Sequence, residues 1–505
     1  MSNSNQRKIG AILSYVSIIV TTLIQLLYTP FLLRKLGQSE FGLYSLVASI
    51  IGYLTIMDLG FGNAIVVYTA KYRAQKKYDE EKILHGMFNI VFKIIGVIAA
   101  ILGLILYLNV NNLFGSKMTD IELNKMKIMM LILSFNLFLT FFFAIYNSII
   151  TAYEKFTFQK VIAIIQSILK PLLMIPLLFL GYKSITLCII ITIVNLIVLL
   201  SNYYYCNKKL NIKIKYNGFD KKLFKVIIGY SIWIFIGVIV DKINWSVDNF
   251  VLGAVSGTVA VSIYSVASTI NQLFISLSTA VSSVLLPKVS KMVAKNASNE
   301  ELTNEFIKVG RIQYYIIFLM ASGLVIVGKE FFNIWAGSGY SDAYYIALLL
   351  IIPLCVPLIQ NIGLSIMQAK NMHKFRSILL LFISIANIGI SIPLAKMYGG
   401  IGAAIGTAGS LLIGNGIIIN IYYYKKVGIN VLKFWKEIIK MTMYYLIPIS
   451  LITLIIYFVR LNGLISIIIY GGIYTIMYII ISYYIVMNDY EKNIINKVLK
   501  KIHFI

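Results

Sequence analysis

Charge is what this sequence has least of. Only 13% of its 505 residues are charged, against about 25% in an ordinary soluble domain. Acids are scarcest: 19 Asp and Glu stand beside 45 Lys and Arg. No polar stretch is long enough to form a separate soluble domain. Cysteine is nearly absent, and Cys188, Cys206 and Cys355 are scattered through apolar segments or their ends. That spacing offers no disulfide framework and no metal or redox motif, so the three read as small core residues. No G-x-x-x-x-G-K-[ST] loop occurs, which argues against direct drive by ATP. No zinc motif and no G-x-S-x-G elbow occurs either. The sequence carries no sign of an enzyme, and it asks for no metal and no organic cofactor.

What remains is apolar. Hydrophobic residues make up 59% of the chain, with a mean hydropathy of +0.85. No soluble core can hide that much, so lipid must be the solvent. A membrane helix needs about 20 apolar residues. Fourteen such segments can be placed, at 9–33, 41–70, 83–108, 126–150, 158–181, 184–205, 224–252, 258–286, 309–328, 343–368, 376–397, 400–424, 440–460 and 463–487. The first is too long for a cleavable signal and reads as a membrane helix that also directs insertion. The predicted fold is therefore all-α and integral to the membrane.

The net charge of +26 could suggest nucleic acid, but its placement argues otherwise. Most Lys and Arg fall in alternate loops, as the positive-inside rule requires. This predicts a multi-pass membrane protein with both termini cytoplasmic. Anionic headgroups of the inner leaflet are the natural partners of the basic face.

The longest basic loop, 206–225, divides the chain after six segments. The expected organisation is a six-helix lobe at 1–205, a linker at 206–223 and a second six-helix lobe at 224–424. An extra helix pair and a tail follow at 425–505. A weak internal repeat supports the division: GLYSLVASI at 42–50 aligns with SIYSVASTI at 262–270, an offset of 220. Such repeats are common in transporters.

Ionisable residues at membrane depth cost roughly 3 kcal/mol each and are functional candidates by default. The acids are Asp58, Asp241 and Asp248, and the bases are Lys93, Lys170 and Lys242. Lys93 continues a polar stripe through His85 and Asn89. Lys170 follows Gln166 by one turn and precedes Pro171. Asp241, Asn244 and Asp248 share one face of the seventh segment, beside Lys242. These lysines suit phosphate oxygens as point charges. Alternatively, the charges form ion pairs, such as Asp241 with Lys170, that only hold helices together. The eighth segment carries Ser262, Ser265, Thr269, Gln272, Ser276, Thr279 and Ser283 on one face, and the first carries Ser14, Ser17, Thr21, Gln25 and Tyr28. They read either as a lining for sugar hydroxyls or as small residues that let helices approach.

One stretch says which kind of membrane protein this is. Tyr28–Tyr68 reads as the end of one span, a short turn from Arg34 to Glu40, and a second span. The combination P-F-L-L-R-x-L-G, then F-G-L-Y-S-L, then D-L-G-F-G with Asp58, resembles the signature of the Wzx-type polysaccharide flippases. These belong to the MOP superfamily, with the MATE multidrug exporters and the lipid II flippases. Gln368–Arg376, Trp335-Ala-Gly337 and Tyr398-Gly-Gly-Ile-Gly402 add weaker marks in the same order. The resemblance covers about residues 8–425. It implies two pseudo-symmetric lobes, and the extra helix pair fits the polysaccharide branch better than the twelve-helix exporters.

The resemblance further implies translocation of undecaprenyl-diphosphate-linked oligosaccharide by alternating access. The substrate's diphosphate would meet Lys93, Lys170, Lys242 and Arg34 in a hydrated cavity. Asn89, Gln166, Asn244, Gln25, Ser265, Thr269, Gln272 and Ser276 would line its path. Asp58, Asp241 and Asp248 are candidates for a coupling proton or sodium ion. The alternative for Asp58 is to brace the Gly60–Gly62 break. A polysaccharide polymerase or other assembly protein is an implied partner. A cation-coupled drug exporter, a lipid II-type flippase and a membrane scaffold for glycan synthesis are the competing readings.

Overall fold

The computed structural model describes residues 3–216, 220–370, 372–459 and 461–502, with backbone alone at 3–12, 15, 230, 233–234, 240–241, 243–246, 281, 283–287, 373–374 and 497–502. Among the described residues every regular element is a helix. The first part of the chain comprises α1 (Asn3–Leu36), α2 (Gln38–Leu54), α3 (Phe61–Ala74), α4 (Tyr78–Leu108), α5 (Val110–Phe114), α6 (Asp120–Phe142), α7 (Ala144–Ala152), α8 (Phe156–Phe179) and α9 (Ser184–Tyr204). Beyond the basic loop come α10 (Lys221–Val255), α11 (Thr258–Ala294), α12 (Asn299–Trp335), α13 (Ser341–Ile359), α14 (Asn361–Ala369) and α15 (His373–Leu411). The chain closes with α16 (Ile419–Tyr422), α17 (Val431–Phe458), α18 (Gly463–Ile481) and α19 (Asp489–Ile502).

Twelve stretches of the described residues are long and apolar enough to cross a membrane. One of them, Phe375–Val427, has 53 residues, about twice what a bilayer requires. It breaks at Gly399, whose φ of 58° and ψ of −135° suit only a residue without Cβ. With α10 added, each of the fourteen expected segments is helical, although 41–70, 126–150 and 343–368 are each divided between two helices.

One turn differs from the sequence reading, and the break expected in the second span falls at Thr55–Gly60. The turn expected from Arg34 to Glu40 contracts to Gly37, because α1 runs on to Leu36. Arg34 and Lys35 occupy its last turn, where the helix dipole favours cations. The second span is two helices. A 3-10 turn at Thr55–Asp58 follows α2, and Leu59 (φ 52°) and Gly60 (φ 75°) are both left-handed before α3 begins.

The chain forms two compact units, Met1–Ser265 with Leu380–Ala403, and Val266–Leu379 with Ala404–Ile505. In the first, α4 packs on α6, and α1 on α8. Its connections are tied by acids: Glu122 accepts from Ser39 (2.6 Å) and Thr258 (2.7 Å), and Glu40 accepts from Lys125 and Ser184. Gly42 lies against the Thr258 carbonyl, leaving no room for a side chain. In the second unit, α12 packs against α13, α17 and α18. Ser298 and Glu301 cap α12 reciprocally, which satisfies two donors that a helix start leaves open. Tyr445 on α17 stacks on Tyr478 of α18 at 4.1 Å.

Candidate functional site

The first unit holds two adjoining polar cavities, of about 310 and 550 Å³. Thr140, Gln166 and Asn195 belong to the walls of both. α8 supplies Gln166 and Lys170, one turn apart, so both project from one face. Among the described residues Lys170 is the one charged side chain lining the smaller cavity. It is half-buried, and no hydrogen bond or ion pair reaches it among the described residues. Asp58 is, among the described residues, the one charged side chain lining the larger cavity. Its carboxylate accepts from the backbone N–H groups of Gly60 and Gly62, so it caps the start of α3 and favours the positive end of that helix dipole.

Between these charges the walls are amides and hydroxyls. Asn195 of α9 donates to Asn136 (2.7 Å) and Thr140 (2.8 Å) of α6. Gln159 of α8 donates to Asn147 (3.1 Å) and Thr151 (2.7 Å). Asn63, Ser148 and Asn202 complete the lining. In lipid an amide without a partner is costly, and pairing amides across neighbouring helices fixes a polar interior inside an apolar bundle.

The cavities bring together Lys170, Gln166 and Asp58 among the residues expected from sequence. The others that are described lie elsewhere. Lys93 is half-buried on α4 with its ammonium 4.7 Å from the centre of the Phe142 ring. Its stripe partners are individually engaged: His85 with Thr69 at 3.0 Å, and Asn89 as donor to the Tyr216 hydroxyl at 2.8 Å. Lys242 on α10 reaches α2, its ammonium 3.8 Å from the point a Cβ on Gly52 would occupy. Gly52 also lines the Lys170 cavity. Arg34 and Gln25 are exposed on α1. Asp248 is buried and accepts from Tyr264, and Ser265 donates to Asn249 at 3.3 Å. The side chains of Asp241, Asn244 and Ser283 lie outside the described residues.

Thr269, Gln272 and Ser276 belong to the second unit. Gln272 is exposed, and Ser276 donates to the Gln272 carbonyl of its own helix at 2.8 Å. Sequence reasoning missed Asn136, Asn147, Gln159, Asn195 and Asn202. Their signal was present: each is an amide in or beside a run such as Ile-Val-Asn195-Leu-Ile, where a side chain of that kind needs a reason.

Outside the spans, burial pushes the Tyr153 phenol up, and its hydrogen bond to Glu81 (2.7 Å) adds to that. Burial lowers the Lys370 ammonium, which donates to the Val427 carbonyl at 2.8 Å.

Comparison with known proteins places the chain. Residues 8–293 match the family described as polysaccharide biosynthesis protein. The chain belongs to that family. A Shigella flexneri protein described as a candidate O-antigen transporter is 24% identical over 399 residues, covering 76% of this chain and 90% of that protein. Among solved structures, the lipid II flippase MurJ in an inward closed conformation superposes with a TM-score of 0.73 at 20% identity, covering 94% of this chain and 97% of that one. An inward-facing MATE multidrug resistance transporter of the MOP superfamily gives 0.61 at 14% identity, covering 80% and 99%. The fold of this member of the polysaccharide biosynthesis family is thus that of the MOP transporters. It is a membrane transporter fold with an amide-walled interior.

Proposed function

We propose that this chain is a flippase that carries an undecaprenyl-diphosphate-linked oligosaccharide from the inner to the outer leaflet of the bacterial cytoplasmic membrane, for cell-surface polysaccharide assembly. The observation that carries the reading is Lys170: a half-buried cation with no partner among the described residues, in a wall of amides. A glycan head must pass a hydrocarbon layer about 30 Å thick. Amides and hydroxyls can replace the water hydrogen bonds of its sugars, and a lysine can meet its phosphate oxygens. Lys93, Lys242 and Arg34 would serve as further anion contacts along the route. Asn89, Asn244, Gln25, Ser265, Thr269, Gln272 and Ser276 would line it.

Alternating access is the mechanism this reading requires. A proton or sodium ion at Asp58, Asp241 or Asp248 would drive it. Both termini would face the cytoplasm, beside anionic inner-leaflet lipid, and a polysaccharide polymerase would take the product. A second reading is a lipid II-type precursor flippase. The observation favouring it is the similarity to MurJ along 94% of the chain.

The test is a deletion strain complemented with wild type or Lys170→Gln. Polyprenol-linked glycans are extracted and surface polysaccharide is measured in the same cells. Oligosaccharide repeat units that accumulate as surface glycan disappears, rescued by wild type alone, support the first reading. Accumulated peptidoglycan precursor with arrested growth selects the second. Unchanged lipid-linked pools sink both.

A further inference from the structure

The break in the second span faces two ways. Asp58 and Gly62 line the larger polar cavity. Leu59 and Phe61, which stand between them in sequence, line a different space: an apolar groove of about 400 Å³ between α4 and α10. Phe61 and Phe224 both line it, their ring centres 6.1 Å apart. Along α10 the lining runs from Phe224 to Phe235. At ~1.5 Å per residue that wall is about 16 Å long, roughly half the ~30 Å thickness of a hydrocarbon layer.

Ile94 of α4 and Ile232 of α10 are exposed along the groove. Among the described residues Ser231 is its one polar lining side chain, buried, with an Oγ that finds no hydrogen-bond partner. Leu59 enters the groove from a left-handed backbone, φ 52°. That conformation is unfavourable for a leucine, and such strain persists where surrounding structure enforces it.

We propose that this groove is the subsite for the hydrocarbon chain of a polyisoprenoid lipid. The polar head of the same molecule lies across the break, in the adjoining cavities of Asp58 and Lys170. The inference rests on the flippase reading and adds to it a place for the tail. One backbone break thereby sorts an amphiphile: Asp58 and Gly62 meet the head, and Leu59 and Phe61 meet the tail.

Photolabelling of the purified full-length chain in phosphatidylcholine nanodiscs tests this. The two probes, used separately, are a photoreactive polyprenyl monophosphate and a photoreactive phosphatidylcholine. The polyprenyl probe should label peptides containing 90–95 and 228–235 severalfold more than the phosphatidylcholine probe does. Ser231→Phe adds a ring to the lining without removing a hydrogen bond, and Ile232→Trp narrows the groove from an exposed position. Each should cut the polyprenyl labelling severalfold. Equal labelling by both probes means ordinary boundary lipid and overturns the proposal, as does labelling that neither variant changes. The labelling needs no transport, so it reads the subsite alone. Failure of the flippase reading would show separately, as unchanged glycan pools in deletion cells.

Discussion

Gly42 and Ser262 touch. A Cβ built on Gly42 would sit 3.2 Å from that of Ser262. The two residues are 220 positions apart and are equivalents in the internal repeat. Under two-fold symmetry a residue meets its own equivalent only on the axis. The weak repeat is thus expressed as a physical contact between α2 and α11.

Gly42 should accordingly tolerate no side chain. A methyl group there collides with the Thr258 carbonyl, a backbone atom that cannot swing aside. Overpacking of this kind costs about 1–3 kcal/mol. Gly42→Ala should lower the melting midpoint in detergent, and Gly42→Leu should lower it further. Equal melting of Gly42→Ala and wild type would show that the helices can separate without loss.

Lys170 predicts the opposite relation between stability and activity. It makes no hydrogen bond or ion pair among the described residues, so Lys170→Met removes an intramembrane charge and breaks nothing. The variant should melt no lower than wild type, and should be more stable by up to about 3 kcal/mol on insertion scales. Glycan export should nevertheless be lost. A variant that is both destabilised and active would mean the lysine is structural.

Asn195 ties α9 to α6 through two hydrogen bonds. Asn195→Ala leaves the Asn136 oxygen and the Thr140 hydroxyl without that partner inside lipid. A lost partner of this type costs about 1–3 kcal/mol. Thermal melting should fall by that order. Asn195→Gln, which keeps the amide, should recover part of the loss.

Much of this was legible in the sequence, for reasons particular to lipid. Spans such as Ser184–Tyr204 announce themselves because nothing polar can replace their lipid contacts, hence the agreement of expected segments with helices. The break at Asp58 was legible because Leu59-Gly60 follows an acid inside an apolar run. The Asn136–Asn195 pair was not, since pairing across α6 and α9 depends on helix rotation and a single sequence does not give rotation. The eighth segment was less legible for a related reason. Its hydroxyl spacing is regular, yet Ser276 and Thr279 satisfy their own helix carbonyls, and spacing cannot distinguish that from a lining. α19 escaped notice because its anchoring partners lie far away in sequence.

The anchor of α19 should be sensitive to acid. Burial pushes the Glu491 carboxyl up, but hydrogen bonds from Arg311 and from the Asn488 N–H outweigh it and hold the group below its ordinary value of 4.5. A depressed folded value means the contribution is complete above the unfolded value and fades as pH falls through the folded one. Proteolytic release of α19 should therefore rise as pH drops below about 4.5. Glu491→Gln should release the helix more readily at neutral pH and respond less to acid. Release that is flat with pH in wild type would rule this out.

Arg311 also sets an order of events during synthesis. It is buried on α12, and its guanidinium is held by Glu437 at 2.8 Å, by Glu491 at 2.7 and 2.9 Å, and by the Val486 carbonyl at 3.0 Å. Glu491 follows it by 180 residues. At about 5–20 residues per second, the ribosome delivers α12 some 6–25 s before Glu437 and some 10–40 s before Glu491. Until α17 follows, α12 stands with an unmatched guanidinium, and half of its anchorage waits for α19. A nascent chain thus carries its own mark of incompleteness, erased in two steps.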